Sequence, residues 1–170
     1  MNLYVLRHAI AVEAGSPAFT DDSQRPLTGK GAAKMTRIAS GLRKMGVEVD
    51  LILSSPYLRA RQTAEILAKA FSITEMLILT SALEPDAPAS QIISEINDRF
   101  SKFENIVLVG HQPYLNTLIS TLISGDPTLG ITLKKGGLCR LNIERLHYDR
   151  CATLDWLLYP FHLAGLHEME

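Results

Sequence analysis

Two arginines and two histidines follow short apolar runs in this 170-residue chain. Arg7-His8 closes the run 3–6, Arg59 lies just beyond the run 51–53 and its sequel Ser54-Ser55-Pro56, and Gly110-His111 closes the run 106–109. A lone histidine at a strand end is ordinarily a hydrogen-bonded structural residue, and a lone arginine in a first helical turn is ordinarily solvated. The four together suit a phosphoryl group. A guanidinium offers a planar fork of donors that matches phosphate oxygens. A neutral imidazole, with an ordinary pKa of ~6.5, is a competent nucleophile near pH 7. It can take the phosphoryl group as a phosphohistidine that water then hydrolyses.

The elements that must position these residues follow from the apolar pattern. Runs 3–6, 51–53 and 106–109 read as buried strands, with a weaker one at Ile78-Leu79. Ligands of an open α/β sheet sit beyond the carboxyl ends of its strands, so polar residues there face a cleft. Residues 11–25 carry Gly15, Pro17, Asp21, Asp22 and Ser23 with little periodicity and read as a loop. Thr28 then serves as the N-cap of a helix whose stripe is Met35, Ile38, Leu42 and Met45, stopped at Gly46. Ser55 and Pro56 are expected to cap and open a second helix running to about Phe71, with Arg59 near its anion-favouring amino end. Ile92, Ile93, Ile96, Phe100 and Phe103 mark a third helix, and Pro113 opens a fourth that carries Leu115 to Ile123 and stops at Gly125. Residues 138–143 and 152–158 read as two antiparallel strands before a short tail. The expected class is α/β, a three-layer α/β/α arrangement with a mostly parallel central sheet and an antiparallel C-terminal edge.

Length and composition set the bounds. One domain over residues 1–170 is expected, with no repeat, linker or low-complexity segment. The 46% hydrophobic and 21% charged fractions are those of a soluble globular protein. No apolar run approaches the ~20 residues of a membrane span, and Arg7 breaks the N-terminal run too early for a signal peptide. A net charge of -1 gives no global attraction to nucleic acid or membrane, so an anion site must be built locally. Cys139 and Cys151 lack metal or redox spacing and read as reduced structural residues of a cytoplasmic protein.

The stretches Leu6-Arg7-His8-Ala9, Ser54-Ser55-Pro56-Tyr57-Leu58-Arg59-Ala60-Arg61-Gln62-Thr63-Ala64 and Val109-Gly110-His111-Gln112-Pro113 resemble the histidine phosphatase superfamily, which includes phosphoglycerate mutases and histidine acid phosphatases. The small size, Ala9 after the histidine and Arg25-Pro26-Leu27-Thr28 make the chain most similar to the SixA-type phosphohistidine phosphatases. The likeness runs from Asn2 to about Pro160. It implies a phosphoglycerate-mutase-like fold, His8 as the residue that becomes phosphorylated, Arg7 and Arg59 as ligands of the phosphoryl oxygens, and His111 as a stabiliser of transition-state charge. It implies no metal and no other cofactor.

Mutases and acid phosphatases of that superfamily usually carry an acidic proton donor after the third strand, within or beside an inserted cap. Here that region is only residues 81–90, too short for a helical cap, and Glu84 is the candidate acid and substrate contact within it. His147, His162 and His167 match no motif. The expected activity is therefore a metal-independent phosphatase acting on phosphohistidine in a phosphoprotein of the histidine-phosphotransfer type. The alternatives are a small-molecule phosphomonoesterase and a non-catalytic phosphate-binding module of the same fold. The sequence names neither the partner protein nor the oligomeric state.

Overall fold

The computed structural model describes residues 1–166; His167 lies outside them. Six strands form one mixed sheet: β1 (Asn2–Arg7), β2 (Leu51–Ser54), β3 (Leu77–Leu79), β4 (Asn105–Gly110), β5 (Leu138–Ile143) and β6 (Ala152–Leu158). Their spatial order is β3-β2-β4-β1-β5-β6. The first four are mutually parallel, while β5 pairs antiparallel with both β1 and β6.

Period-two alternation makes the sheet two-faced. Leu3, Val5, Leu51, Leu53, Ile106 and Leu108 face one core with α3 (Ala89–Glu95) and α4 (Tyr114–Ser124). Tyr4, Leu6, Ile52, Val107 and Val109 face the other, with α1 (Gly29–Lys44), α2 (Leu58–Phe71) and α5 (Pro160–Leu166). Both faces are covered, which is why β1, β2 and β4 read as unbroken apolar runs. Each fully buried Leu or Ile contributes about 1.5–3 kcal/mol by leaving water.

Thr28 caps α1, its hydroxyl accepting from Gly31 N at 2.9 Å, and Gly46 (φ 72°) follows the helix end. The α1 stripe ends sooner than its spacing implies, because Met45 is exposed. The second helix begins later than expected. It opens at Leu58 after an N-cap Tyr57 that makes no side-chain cap bond, and Ser55 serves elsewhere. The third helix is α-helical only to Glu95, continues as a π turn over Ile96–Phe100, and leaves Phe103 outside. The tail after β6 is itself a helix, α5, packed on α1: a Cβ on Gly41 would clash with the Leu163 carbonyl oxygen. Between β3 and α3 the chain makes only a 3-10 turn, Ser81–Leu83, before α3 begins. No helix among the described residues is long and apolar enough to cross a membrane.

Strand register brings the functional ends together. Arg7 pairs with Gly110 and Ser54 with Val109, so β1, β4 and β2 end level with one another. The exits are tied as well: His8 N donates to Gly110 O (3.0 Å) and Ser55 N to Val109 O (3.0 Å).

Candidate active site

The level strand ends open onto a pocket of about 420 Å³ whose lining includes Arg7, His8, Arg59 and His111. Four residues spread over a hundred positions of sequence thus meet at one carboxyl edge, as an open parallel sheet permits. Glu84 is not among the lining residues; its neighbour Pro85 is.

His8 follows the last residue of β1 and is 7% exposed. Its Nδ1 lies 2.8 Å from the Ala9 carbonyl oxygen. A carbonyl only accepts, so Nδ1 carries the proton and Nε2 holds the lone pair. Burial, aided by the charges of Arg59, Arg7 and Lys135, pushes the ring pKa down to about 3, against the opposing bond to Ala9. The ring is therefore neutral near pH 7. Its backbone is anchored by Thr63 of α2, whose hydroxyl accepts from Ala9 N (3.0 Å) and donates to Arg59 O (2.7 Å).

His111 follows β4 and stands with its ring centroid 5.2 Å from that of His8. The Ser55 hydroxyl pairs with its Nε2 at 2.8 Å and accepts from Tyr57 N at 3.3 Å. Ser55 thus orients an imidazole, which accounts for the missing helix cap. Tyr57 meets His111 edge-on at 5.1 Å. Burial, with His8 and Arg59 adding to it, lowers the His111 pKa to about 3.

Both guanidiniums are lowered from their ordinary pKa by burial, yet arginine remains cationic in proteins. Arg7 donates from Nη1 to Leu133 O at 3.0 Å. Arg59, 4% exposed, donates from Nη1 to Asp22 O (2.7 Å) and from Nη2 to Asp22 Oδ2 (2.9 Å). Arg25 holds the other carboxylate oxygen of Asp22 at 2.7 Å. Partial burial works to raise the Asp22 pKa, but the Arg25 bond and both guanidinium charges outweigh it and hold the carboxyl below its usual value. Among the described residues, Arg7 Nε, Arg59 Nε and His111 Nδ1 are buried without a hydrogen-bond partner. Buried polar atoms are ordinarily paired, so three such nitrogens around one pocket mark a place built for an acceptor.

Glu13 and Ala14 of the loop after β1 line one side of the pocket, and the loop between α4 and β5 supports another. Gln112 Nε2 donates to Leu133 O (2.8 Å) and Asn116 Nδ2 to Ile131 O (2.8 Å). Gly136, at φ 77°, turns its N–H toward the Arg7 and His8 carbonyls at 3.0 and 3.2 Å. That left-handed conformation is one glycine adopts freely. Lys135 lines the pocket from this loop.

Sequence reasoning missed Asp22, Arg25, Ser55 as a histidine partner, Gln112 and Lys135. The Lys134-Lys135-Gly136-Gly137 run carried a usable signal, a basic pair against a turn-forming pair. Nothing in the spacing of Asp22 announces Arg59, thirty-seven residues away. His147 and His162 are exposed and do not line the pocket. Among the described residues no three His, Cys, Asp or Glu side chains are grouped to hold a metal ion.

This geometry can bind a tetrahedral anion against two guanidiniums and present a neutral imidazole nitrogen to it. An uncharacterized protein of Picosynechococcus sp. is 35% identical over 143 residues, 83% of this chain and 84% of that protein. The phosphohistidine phosphatase SixA of Escherichia coli (strain K12) is 26% identical over 128 residues, covering 74% of this chain and 76% of that one. The structure of the protein histidine phosphatase SixA complexed with tungstate shares the fold, with a TM-score of 0.80 at 22% identity over 96% of this chain and 99% of that one. The sequence model of the histidine phosphatase superfamily (branch 1) matches residues 3–86, the stretch that holds Arg7, His8 and Arg59, and the chain belongs to that superfamily.

Proposed function

We propose that the chain is a phosphohistidine phosphatase whose substrate is a phosphorylated protein of the histidine-phosphotransfer type, working through a phosphorylated His8. The observation that carries this reading is the state of His8: Nδ1–H is committed to Ala9 O, and Nε2 is left unprotonated beside two buried guanidiniums. Nε2 attacks phosphorus while the substrate's P–N bond breaks, and the departing imidazole leaves with a proton on its freed nitrogen. Water then attacks the phosphorus of phospho-His8, its proton goes to solvent or to orthophosphate, and neutral His8 is restored. Arg7 and Arg59 bind the non-bridging oxygens as charge spreads over them. His111, beside His8, gains basicity from the phosphoryl anion and donates to it. The clamp supplies cationic charge from side chains, so turnover is expected to survive chelators.

The phosphohistidine preference rests on the leaving group. An alkoxide leaves poorly unless an acid protonates it. Glu84 does not line the pocket, Asp22 is tied to Arg25 and Arg59, and Glu13, which lines the pocket from the loop after β1, is assigned no acid role. An imidazole nitrogen is basic near pH 7 and can be protonated before it departs. The short 81–90 segment also leaves that side of the pocket without a helical cap, giving room for a histidine on another protein.

The test is a comparison of a phosphorylated histidine-phosphotransfer domain with alkyl and aryl phosphates, using wild type, His8→Ala and Glu84→Gln. Expected are a large preference for the phosphoprotein, loss of all turnover in His8→Ala, and a modest effect of Glu84→Gln. Alkyl phosphates turned over as fast as the phosphoprotein, with that activity lost in Glu84→Gln, would instead establish a small-molecule phosphomonoesterase.

A further inference from the structure

Beside the active-site pocket lies a second hollow of about 520 Å³, and Arg7 and Lys135 line both. Its other cations are Lys34 of α1 and Lys134 of the α4–β5 loop; its far wall is Tyr159 and Phe161, where α5 begins. Among the described residues no carboxylate lines it. Among the described residues neither Lys34, Lys134 nor Lys135 has an ion-pair partner. In a molecule of net charge -1, four cations around one hollow are a local feature and not a reflection of overall charge. Phe161 is 63% exposed, an uncommon position for a large apolar ring, and it packs beside Tyr159 at 6.3 Å between centroids.

The lysines are held at a set distance from the reacting nitrogen. Gln112 and Arg7 both bind Leu133 O, and Gly136 N binds the carbonyls of Arg7 and His8, so the backbone carrying Lys134 and Lys135 is tied to the catalytic strand end on either side. His8 itself is buried. A phosphohistidine that reaches it must hold its own backbone at the pocket rim, and residues flanking that histidine then fall over the neighbouring hollow.

We propose that this hollow is a docking surface for an acidic segment of the phosphoprotein next to its phosphohistidine, with an apolar side chain of that segment meeting Tyr159 and Phe161. The inference rests on the phosphohistidine reading above and adds to it a rule for choosing substrate. The occupant is a carboxylate-bearing polypeptide because cations ring the hollow, its apolar wall is aromatic, and the surface is continuous with the pocket through Arg7. Charge of this kind acts on encounter and on the choice of partner.

Two synthetic peptides centred on one N-phosphorylated histidine test this, one flanked by glutamates and the other by glutamines at the same positions. Free phosphohistidine, which has no flank, controls for the chemistry. Wild type is expected to show a kcat/KM about fivefold or more higher for the glutamate peptide, a preference that shrinks as salt is raised past about 0.15 M, where the Debye length is near 8 Å. The double variant Lys34→Glu/Lys134→Glu should abolish or invert the preference, and Lys34→Gln/Lys134→Gln should reduce it, each leaving hydrolysis of free phosphohistidine within about twofold of wild type. Lys135 is left untouched because it also lines the catalytic pocket. Equal rates on the two peptides in wild type would overturn the docking proposal while leaving the phosphohistidine reading intact. A preference that survives both double variants would overturn the assignment to this hollow. Hydrolysis of alkyl phosphates with neither peptide cleaved would remove the phosphohistidine reading, and the docking proposal with it.

Discussion

Asp22 is the residue whose place most changes how the pocket is understood. Its backbone carbonyl and carboxylate each take one N–H from a terminal nitrogen of Arg59, so a phosphoryl group shares that guanidinium with a carboxylate from the protein itself. Because the Asp22 side chain is 53% exposed, that competition is worth little, on the order of 1 kcal/mol. Asp22→Ala is expected to bind orthophosphate a few-fold tighter, read as a lower inhibition constant, while kcat falls because Arg59 loses its orienting partner. The two buried histidines give a second residue-scale outcome. Both fold with pKa about 3, well below the ordinary ~6.5, so the unfolded chain binds protons that the folded chain does not. Stability from this source is full above pH ~6.5 and falls as pH drops toward 3, by at most about 1.4 kcal/mol per pH unit for each ring. Asp22, held below its ordinary value, adds its own loss only below about pH 4. Denaturant midpoints between pH 7 and 4 should therefore fall less steeply in His111→Gln than in wild type. Identical slopes would mean that the rings take up protons while folded.

At the scale of elements, strands were legible and helix ends less so. Residues 3–6, 51–53 and 106–109 were readable because both faces of the central sheet are covered and no polar residue interrupts them. The start of α2 was misread because Ser55-Pro56 has ideal capping chemistry, yet the helix opens only at Leu58 and the Ser55 hydroxyl, besides accepting from Tyr57 N, pairs with His111. That choice depends on β4 lying beside β2, a contact no local window contains. The helix α5 was missed because seven residues are too few for a periodic stripe to stand out. Its seat is set by Gly41, where a Cβ would clash with the Leu163 carbonyl oxygen. Gly41→Ala should therefore lower stability by about 1–3 kcal/mol through overpacking, although alanine is the better helix former. Gly29→Ala, with nothing within 4 Å, serves as the control in thermal melts. Equal melting temperatures for the two variants would show that α5 shifts at no cost.

Across the whole molecule, the four polar residues on three motifs could be gathered from sequence because a parallel sheet leaves its carboxyl ends on one edge. Arg7, His8, Arg59 and His111 were found in this way, and they share one pocket. Its counter-charges and walls could not be found so, since Asp22, Arg25 and Lys135 come from loops whose path depends on tertiary contacts. Glu84 shows the converse limit. Its position after the third strand made it a candidate, yet the chain turns Pro85 toward the pocket in its place.

The pairing of β1 with β4 joins residues about a hundred apart, Asn2 with Asn105 through Arg7 with Gly110. During synthesis the run Leu3 to Leu6 therefore leaves the ribosome long before its central partner exists, with a bare apolar strand exposed to other chains. Closing so long a loop is entropically slow, and the site at the end of β1 cannot form ahead of it. Recovery of activity after dilution from denaturant should consequently track the last phase of refolding. Trp156, 6.0 Å from Tyr4 across β5, offers a fluorescence clock for the docking of β5 and β6 on the other side of β1. Turnover regained before the Trp156 signal settles would mean that β1 and β4 pair before β5 and β6 dock, and that the nascent strand is sheltered ahead of the full sheet.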